Sequence, residues 1–128
     1  MSSRFAVAIF AVIALAGALS IEADPKTIPA EARRAYQEFW AKLPAGESAA
    51  LARELDRVER LARRDKPVDG DLSTLRARYP ELATLETSLA PVRWIAAESP
   101  GRAYVCTGML IIGRNGRARC IGALKRIG

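Results

Sequence analysis

Apolar positions fall into three regimes along this chain. An unbroken run fills Phe5 to Leu19; spacings of three and four then dominate from Pro29 to Leu89; after Pro91 the helical period disappears. The middle regime predicts helices. Over Pro29–Leu43, Ala32, Tyr36, Phe39, Trp40 and Leu43 form one stripe. Pro29 suits the first helical position, Glu31 sits near the positive end of the macrodipole, and Glu38 and Lys42 make an i,i+4 pair. Pro44-Ala45-Gly46 ends that element. A second helix is expected over Ser48–Arg64. Leu51, Leu55, Val58 and Ala62 share one face with Leu61 beside them, and Asp56–Arg60 and Glu59–Arg63 are acid-first pairs. Arg63, Arg64 and Lys66 at its end read as helix termination and solvation rather than a binding patch. A short link makes the two an antiparallel helical hairpin. Pro67-Val68-Asp69-Gly70 is a turn. Asp71 or Ser73 then caps a short helix ending near Tyr79, and Pro80 opens another over Glu81–Leu89 with Leu82, Leu85 and Leu89 on one side.

The last third predicts strands. Val92–Ala97 holds Val, Trp and Ile with no helical period, Ala103–Ile112 is rich in β-branched and apolar residues, and Ala118–Ile127 alternates loosely, with turn signals at Ser99-Pro100-Gly101 and at Gly113-Arg114-Asn115-Gly116. Three antiparallel strands in a meander follow, with Gly108 and Gly122 marking bulges or close packing. The fold class is therefore α+β, a helical hairpin and one or two short helices packed on a C-terminal β-meander.

Cys106 and Cys120 both lie in that meander, and an even pair of thiols in an exported chain reads as a disulfide. Closing a loop of about 15 residues stabilises by ~3 kcal/mol on the chain-entropy model. The register opposes it. A two-residue Asn115-Gly116 loop places Cys106 opposite Lys125 and Cys120 opposite Ile111. That displaces the thiols by about 16 Å at ~3.3 Å per residue, whereas a disulfide needs Cα atoms within about 7 Å. A four-residue loop lessens the conflict without removing it. We favour the disulfide, with a wide or bulged connection. A redox role is disfavoured, because reactive dithiols sit as Cys-x-x-Cys at a helix start.

The leading apolar run changes the compartment. Met1-Ser2-Ser3-Arg4, fifteen apolar residues and a small, polar boundary have the order of a secretory signal peptide over residues 1–20. Cleavage is compatible with Ala18, Ser20 or Ala23, with Ser20 or Ala23 favoured. The run is shorter than the ~20 residues of a spanning helix, so the competing reading, a retained membrane tether, is secondary. Arg4 stands alone, so the twin-arginine signal is absent, and no Cys adjoins the boundary, which argues against a lipidated N-terminus. The expected location is periplasmic or secreted. Residues 21–91 form a helical region and residues 92–128 the meander of one domain.

Composition narrows the chemistry. The chain has no histidine, which removes His-based triads, Cys-His dyads and His-ligated zinc, and two cysteines cannot build a four-thiolate site. Asp65, Asp69 and Asp71 lack the terminal Glu and alternating ligands of a calcium loop. No carboxylate pair, Ser-x-x-Lys or phosphate loop stands out: Gly113-x-x-Gly116 precedes a strand, not a helix. No catalytic residue, metal or cofactor is assigned.

Charge supplies the remaining signal. Seven basic residues lie from Arg93 onward against one acid, Glu98, while residues 21–92 hold twelve basic and thirteen acidic ones. The basic excess thus concentrates in the meander, which suggests an anionic partner or a solvated surface. Arg114, Arg117, Arg119, Lys125 and Arg126 are the expected contacts, since guanidinium forks suit phosphate and carboxylate groups. The partner expected is an anionic envelope surface or an acidic protein. Nucleic acid ranks lower, because only Trp94 and Tyr104 offer stacking platforms among the basic residues, and a membrane contact arises only if the N-terminal segment stays uncleaved. The expectation is a small exported, non-enzymatic binding protein. The alternatives are a membrane-tethered subunit of an envelope complex and a periplasmic enzyme working through carboxylates.

Overall fold

The computed structural model describes residues 21–96 and 98–127. The expected leader, residues 1–20, and two of its cleavage points, after Ala18 and Ser20, therefore lie outside or at the edge of the described residues. Among the described residues, four α-helices and antiparallel strands form a mixed α+β arrangement. The helices are α1 (Ala30–Lys42), α2 (Ala45–Arg63), α3 (Asp69–Arg78) and α4 (Glu81–Ser88). The strands are β1 (Ile21–Ala23), β2 (Trp94–Ala96), β3 (Ser99–Cys106), β4 (Met109–Ile112), β5 (Ala118–Ile121) and β6 (Leu124–Ile127).

The prolines set the helix starts. Pro29, Pro44 and Pro80 all stand at the N-cap, one residue outside the helix rather than at its first position. Pro44 therefore opens α2 instead of ending α1, and Ala45 and Gly46 join the helix three residues ahead of the expected Ser48. Likewise Asp69 and Gly70, expected in a turn, lie in the first turn of α3, where Asp69 and Asp71 face the positive macrodipole end. At the far end of α2, Asp65 takes φ 57, and the Asp65 and Lys66 amides donate to Ala62 and Leu61. This is a Schellman stop made without glycine.

The predicted stripes of α1, α2 and α4 lie in the core, joined by two leucines of α3. Tyr36, Phe39 and Trp40 of α1, Leu51, Leu55 and Val58 of α2, Leu72 and Leu75 of α3, and Leu82 and Leu85 of α4 are buried together. Helix α1 packs chiefly on α4, and α4 on β4. Met109, Ile111 and Ile112 of β4 are all buried, which explains a run with no polar alternation.

The sheet departs from a three-stranded meander in two ways. First, Ile21–Ala23, expected to lead the helical region, is a strand. Ile21, Glu22 and Ala23 pair with Ala96, Ile95 and Trp94, and the four-stranded sheet runs β1-β2-β3-β6. A three-residue strand gives too little sequence to show a period of two. Second, two of the three expected strands break in the middle. Thr107-Gly108 separates β3 from β4, Gly122-Ala123 separates β5 from β6, and β4 and β5 form their own two-stranded ribbon. The β2–β3 register also slips between Ile95 and Ala96, with Ile95 facing Ala103 and Ala96 facing Ser99. Pro100, which has no N–H to give the ladder, lies in the bulged-out residues.

The break resolves the disulfide conflict. Leu110 faces Cys120 and Cys106 faces Leu124, so one register runs through both ribbons and Gly108 falls opposite Gly122. The connection is wider than an Asn-Gly hairpin: Ile112 pairs with Ala118, and the Gly113 amide donates to the Arg117 carbonyl at 2.9 Å. The cysteines are then four positions apart, roughly 13 Å along a straight ribbon. Their Cα atoms are 5.8 Å apart and the disulfide is formed. The ribbon therefore folds over at Gly108 and Gly122, and the bridge clamps its two limbs. Backbone contact is the reason for glycine at both positions. A Cβ on Gly108 would lie 2.0 Å from the Ile121 carbonyl oxygen, and one on Gly122 would lie 2.7 Å from the Gly108 Cα.

Candidate anion-binding surface

The β4–β5 connection is held on α1 by side-chain donors. The Trp40 indole Nε1–H donates to the Ile112 carbonyl at 2.9 Å, and the Tyr36 hydroxyl donates to the Leu110 carbonyl at 3.2 Å. Both rings are buried, and burial pushes the Tyr36 phenol well above its ordinary pKa, so it stays a neutral donor. At the tip, the Asn115 side-chain carbonyl accepts from the Arg117 amide at 3.1 Å and the Gly116 amide donates to Gly113. Gly116 has φ 85, which glycine adopts without strain. Replacing Trp40 with phenylalanine keeps an aromatic ring in the core but removes the N–H that serves the Ile112 carbonyl. We expect a loss of about 1–2 kcal/mol in chemical denaturation, with faster amide exchange at Gly113 and Gly116.

Between that tip and α1 lies a pocket of about 270 Å³. Arg33, Gln37 and Trp40 line it from α1, and Ile112 to Gly116, including Arg114, line it from the hairpin. The Arg33 Nη1 reaches to 3.5 Å from the Gly116 carbonyl. No carboxylate is among the lining residues. Arg33 was not expected here. In the sequence it stands on the polar side of an ordinary amphipathic helix, 81 positions from Arg114.

The five basic residues expected to act together are dispersed. Arg114 is exposed at the tip. Arg117 is exposed as well and lies 3.6 Å from Glu22 of β1. Arg119 is different: its side chain is only 16% exposed and is bonded to Glu59 and, at 2.8 Å, to Asp56 of α2. It ties β5 to α2. Lys125 and Arg126 are exposed on β6, at the edge of the sheet opposite β1. Three inter-strand steps of ~4.8 Å put those edges about 14 Å apart. Cys106 and Cys120 staple the fold, with Cys120 buried.

Other clusters pair internally. A groove of about 410 Å³ between α2 and α3 contains Glu54, Arg57, Asp71, Arg78 and Tyr79. There Arg57 bridges Glu54 and Asp71, the Tyr79 hydroxyl donates to Glu47, and Arg78 lies over the Tyr79 ring at 5.5 Å. The Arg57 hydrogen bond holds Glu54 below the ordinary carboxylate range, which is the wrong direction for a general acid. Among the described residues, no group of three or more His, Cys, Asp or Glu is placed to hold a metal ion. Comparison with known proteins finds no matching family model, curated protein or solved structure.

Proposed function

We propose that this chain is a small exported, non-enzymatic binding protein that docks an anionic partner at the tip of its β4–β5 hairpin. The observation that supports this most is the tip pocket: two guanidinium groups, Arg33 and Arg114, line one concavity with no acid among its residues. Gln37 and Asn115 add amide donors. Such a concavity attracts phosphate, sulfate or carboxylate groups. Export is supported by the formed disulfide and by the leading apolar run. Among the described residues no helix is long and apolar enough to cross a membrane. Of the expected cleavage points, Ala23 would remove β1 from the sheet, so we favour Ser20. Sequencing the N-terminus of the exported product checks this.

The binding test uses sulfated agarose. The disulfide-bonded protein is expected to be retained at low salt and to elute as ionic strength screens the contact. Replacing Arg33 and Arg114 together with glutamine lowers the salt needed for elution, while the circular dichroism spectrum stays unchanged. Retention that ignores salt, or that ignores both arginines, overturns the reading.

A further inference from the structure

The second basic pair sits on a different kind of surface. Strand β6 is the last in the order β1-β2-β3-β6, so among the described residues one side of its backbone has no strand beside it. The Thr107 amide donates to the Ala123 carbonyl at 2.9 Å, and those residues are opposite each other in the β3–β6 register. That bond fixes the alternation: Lys125 and Ile127 turn their backbone groups toward β3, and Leu124 and Arg126 turn theirs outward. Side chains on the strand alternate too. Lys125 and Ile127 share the outer face of the sheet with Val105, Ala103 and Ile95, while Arg126 projects from the opposite face. Val105 and Ile127 are the large apolar residues most exposed among those described, 44% and 52%, and they are diagonal neighbours here.

We propose that β6 is a docking edge for an extended acidic segment of another protein, which adds to the sheet as a fifth strand. Backbone bonds to Leu124 and Arg126 supply affinity, and the side chains supply selection. Carboxylates opposite Lys125 and Arg126 and a β-branched residue opposite Ile127 complement the edge, so the partner carries two adjacent acids beside an apolar residue. Charge decides against a second copy of this chain. Antiparallel pairing of β6 with itself brings Lys125 and Arg126 against the same two cations. Cations on an edge normally guard against strand addition, and an acidic strand reverses their sign. This surface lies at the opposite sheet edge from Arg117 and Glu22, and its behaviour is independent of the hairpin tip.

The test uses the full disulfide-bonded protein and a capped peptide, Thr-Val-Glu-Glu-Val-Thr, with Thr-Val-Lys-Lys-Val-Thr as control. The glutamate peptide is expected to slow amide exchange at Leu124 and Arg126, and the lysine peptide to leave it unchanged. Arg126→Gln removes charge and keeps the outward N–H; Arg126→Pro removes both, yet breaks no bond to β3. Peptide binding by Arg126→Pro is expected to be about tenfold weaker than by Arg126→Gln. Equal binding by the two variants, unchanged exchange at Leu124 and Arg126, or equal binding of both peptides overturns strand addition. Binding to phosphatidylglycerol vesicles without binding to the glutamate peptide also overturns it, in favour of a membrane surface. Should Arg126→Pro fail to fold, the exchange measurement on the unmodified protein decides.

Discussion

Substituting alanine for Gly108 is expected to lower the melting temperature by roughly 10 °C or more, corresponding to a loss of about 3 kcal/mol in a domain this size. The cause is backbone contact. The new Cβ would meet the Ile121 carbonyl oxygen at 2.0 Å and the Gly122 Cα at 2.9 Å, and neither atom can swing aside as a side chain would. The limbs of the ribbon must open, which draws Cys106 away from Cys120 and pulls at Met109, Ile111 and Ile121 in the core. Two controls separate this from the general effect of glycine replacement. Gly46→Ala, at a helical position with open space around it, is expected to be neutral or slightly stabilising. Under reducing conditions, where both proteins lack the bridge, Gly108→Ala remains the less stable, because the clash does not depend on the sulfurs. A Gly108→Ala protein that melts with the parent and resists alkylation of both thiols would refute a ribbon folded on paired glycines.

The same fold explains which parts of the architecture a reader of the sequence can recover. Helices α1, α2 and α4 are legible because Tyr36, Leu55 and Leu82 each belong to a stripe that shows its period, and because prolines punctuate the stretch; α3 is marked only by its flanking turn and Pro80. The expected starts fall three residues late at α2 and three to five late at α3, and at α2 the reason is physical. Proline reads in a sequence both as a helix stop and as a helix start, and Pro44, in the two-residue link after Lys42, is the start of α2. The strands are harder. The thiols and the Asn-Gly turn demand incompatible straight hairpins, and the solution, a ribbon folded at two facing glycines, is a long-range relation between Gly108 and Gly122. The charge excess in the last third is legible as a total but not as a surface. Arg33 and Arg114 line one pocket because the fold, with Trp40 and Tyr36 bonded to β4, brings the hairpin onto α1. Nothing local to Arg119 distinguishes it from Arg117, although one is tied to α2 and the other faces solvent.

That difference gives the second large effect. Replacing Arg119 with leucine is expected to cost about 2 kcal/mol at pH 7, below the ~3–5 kcal/mol typical of breaking a fully buried pair because this one is partly solvated. The pH dependence identifies the mechanism. Burial pushes the Glu59 carboxyl up, but hydrogen bonds from Arg119 and Arg63 outweigh burial and hold it below its ordinary range. A carboxyl lowered by folding stabilises above its unfolded pKa, near ~4.3, and that contribution is lost as pH falls through the folded value. The parent protein should therefore lose stability steeply below about pH 4. Without Arg119, burial is opposed by Arg63 alone, Glu59 rises, and its ionised form no longer gains from folding. The gap between parent and Arg119→Leu should then narrow on acidification, and adding Glu59→Gln should recover much of the loss at pH 7. A gap that stays constant from pH 7 to pH 3, measured by urea denaturation, would mean the guanidinium contributes packing rather than charge. The outcome also bears on binding experiments. Replacing Arg114, Arg117 and Arg119 together would weaken the domain and its surface at once, so a lost interaction could not be assigned to either. Variants at Arg33 and Arg114 leave the tie to α2 intact, and only those report on the tip.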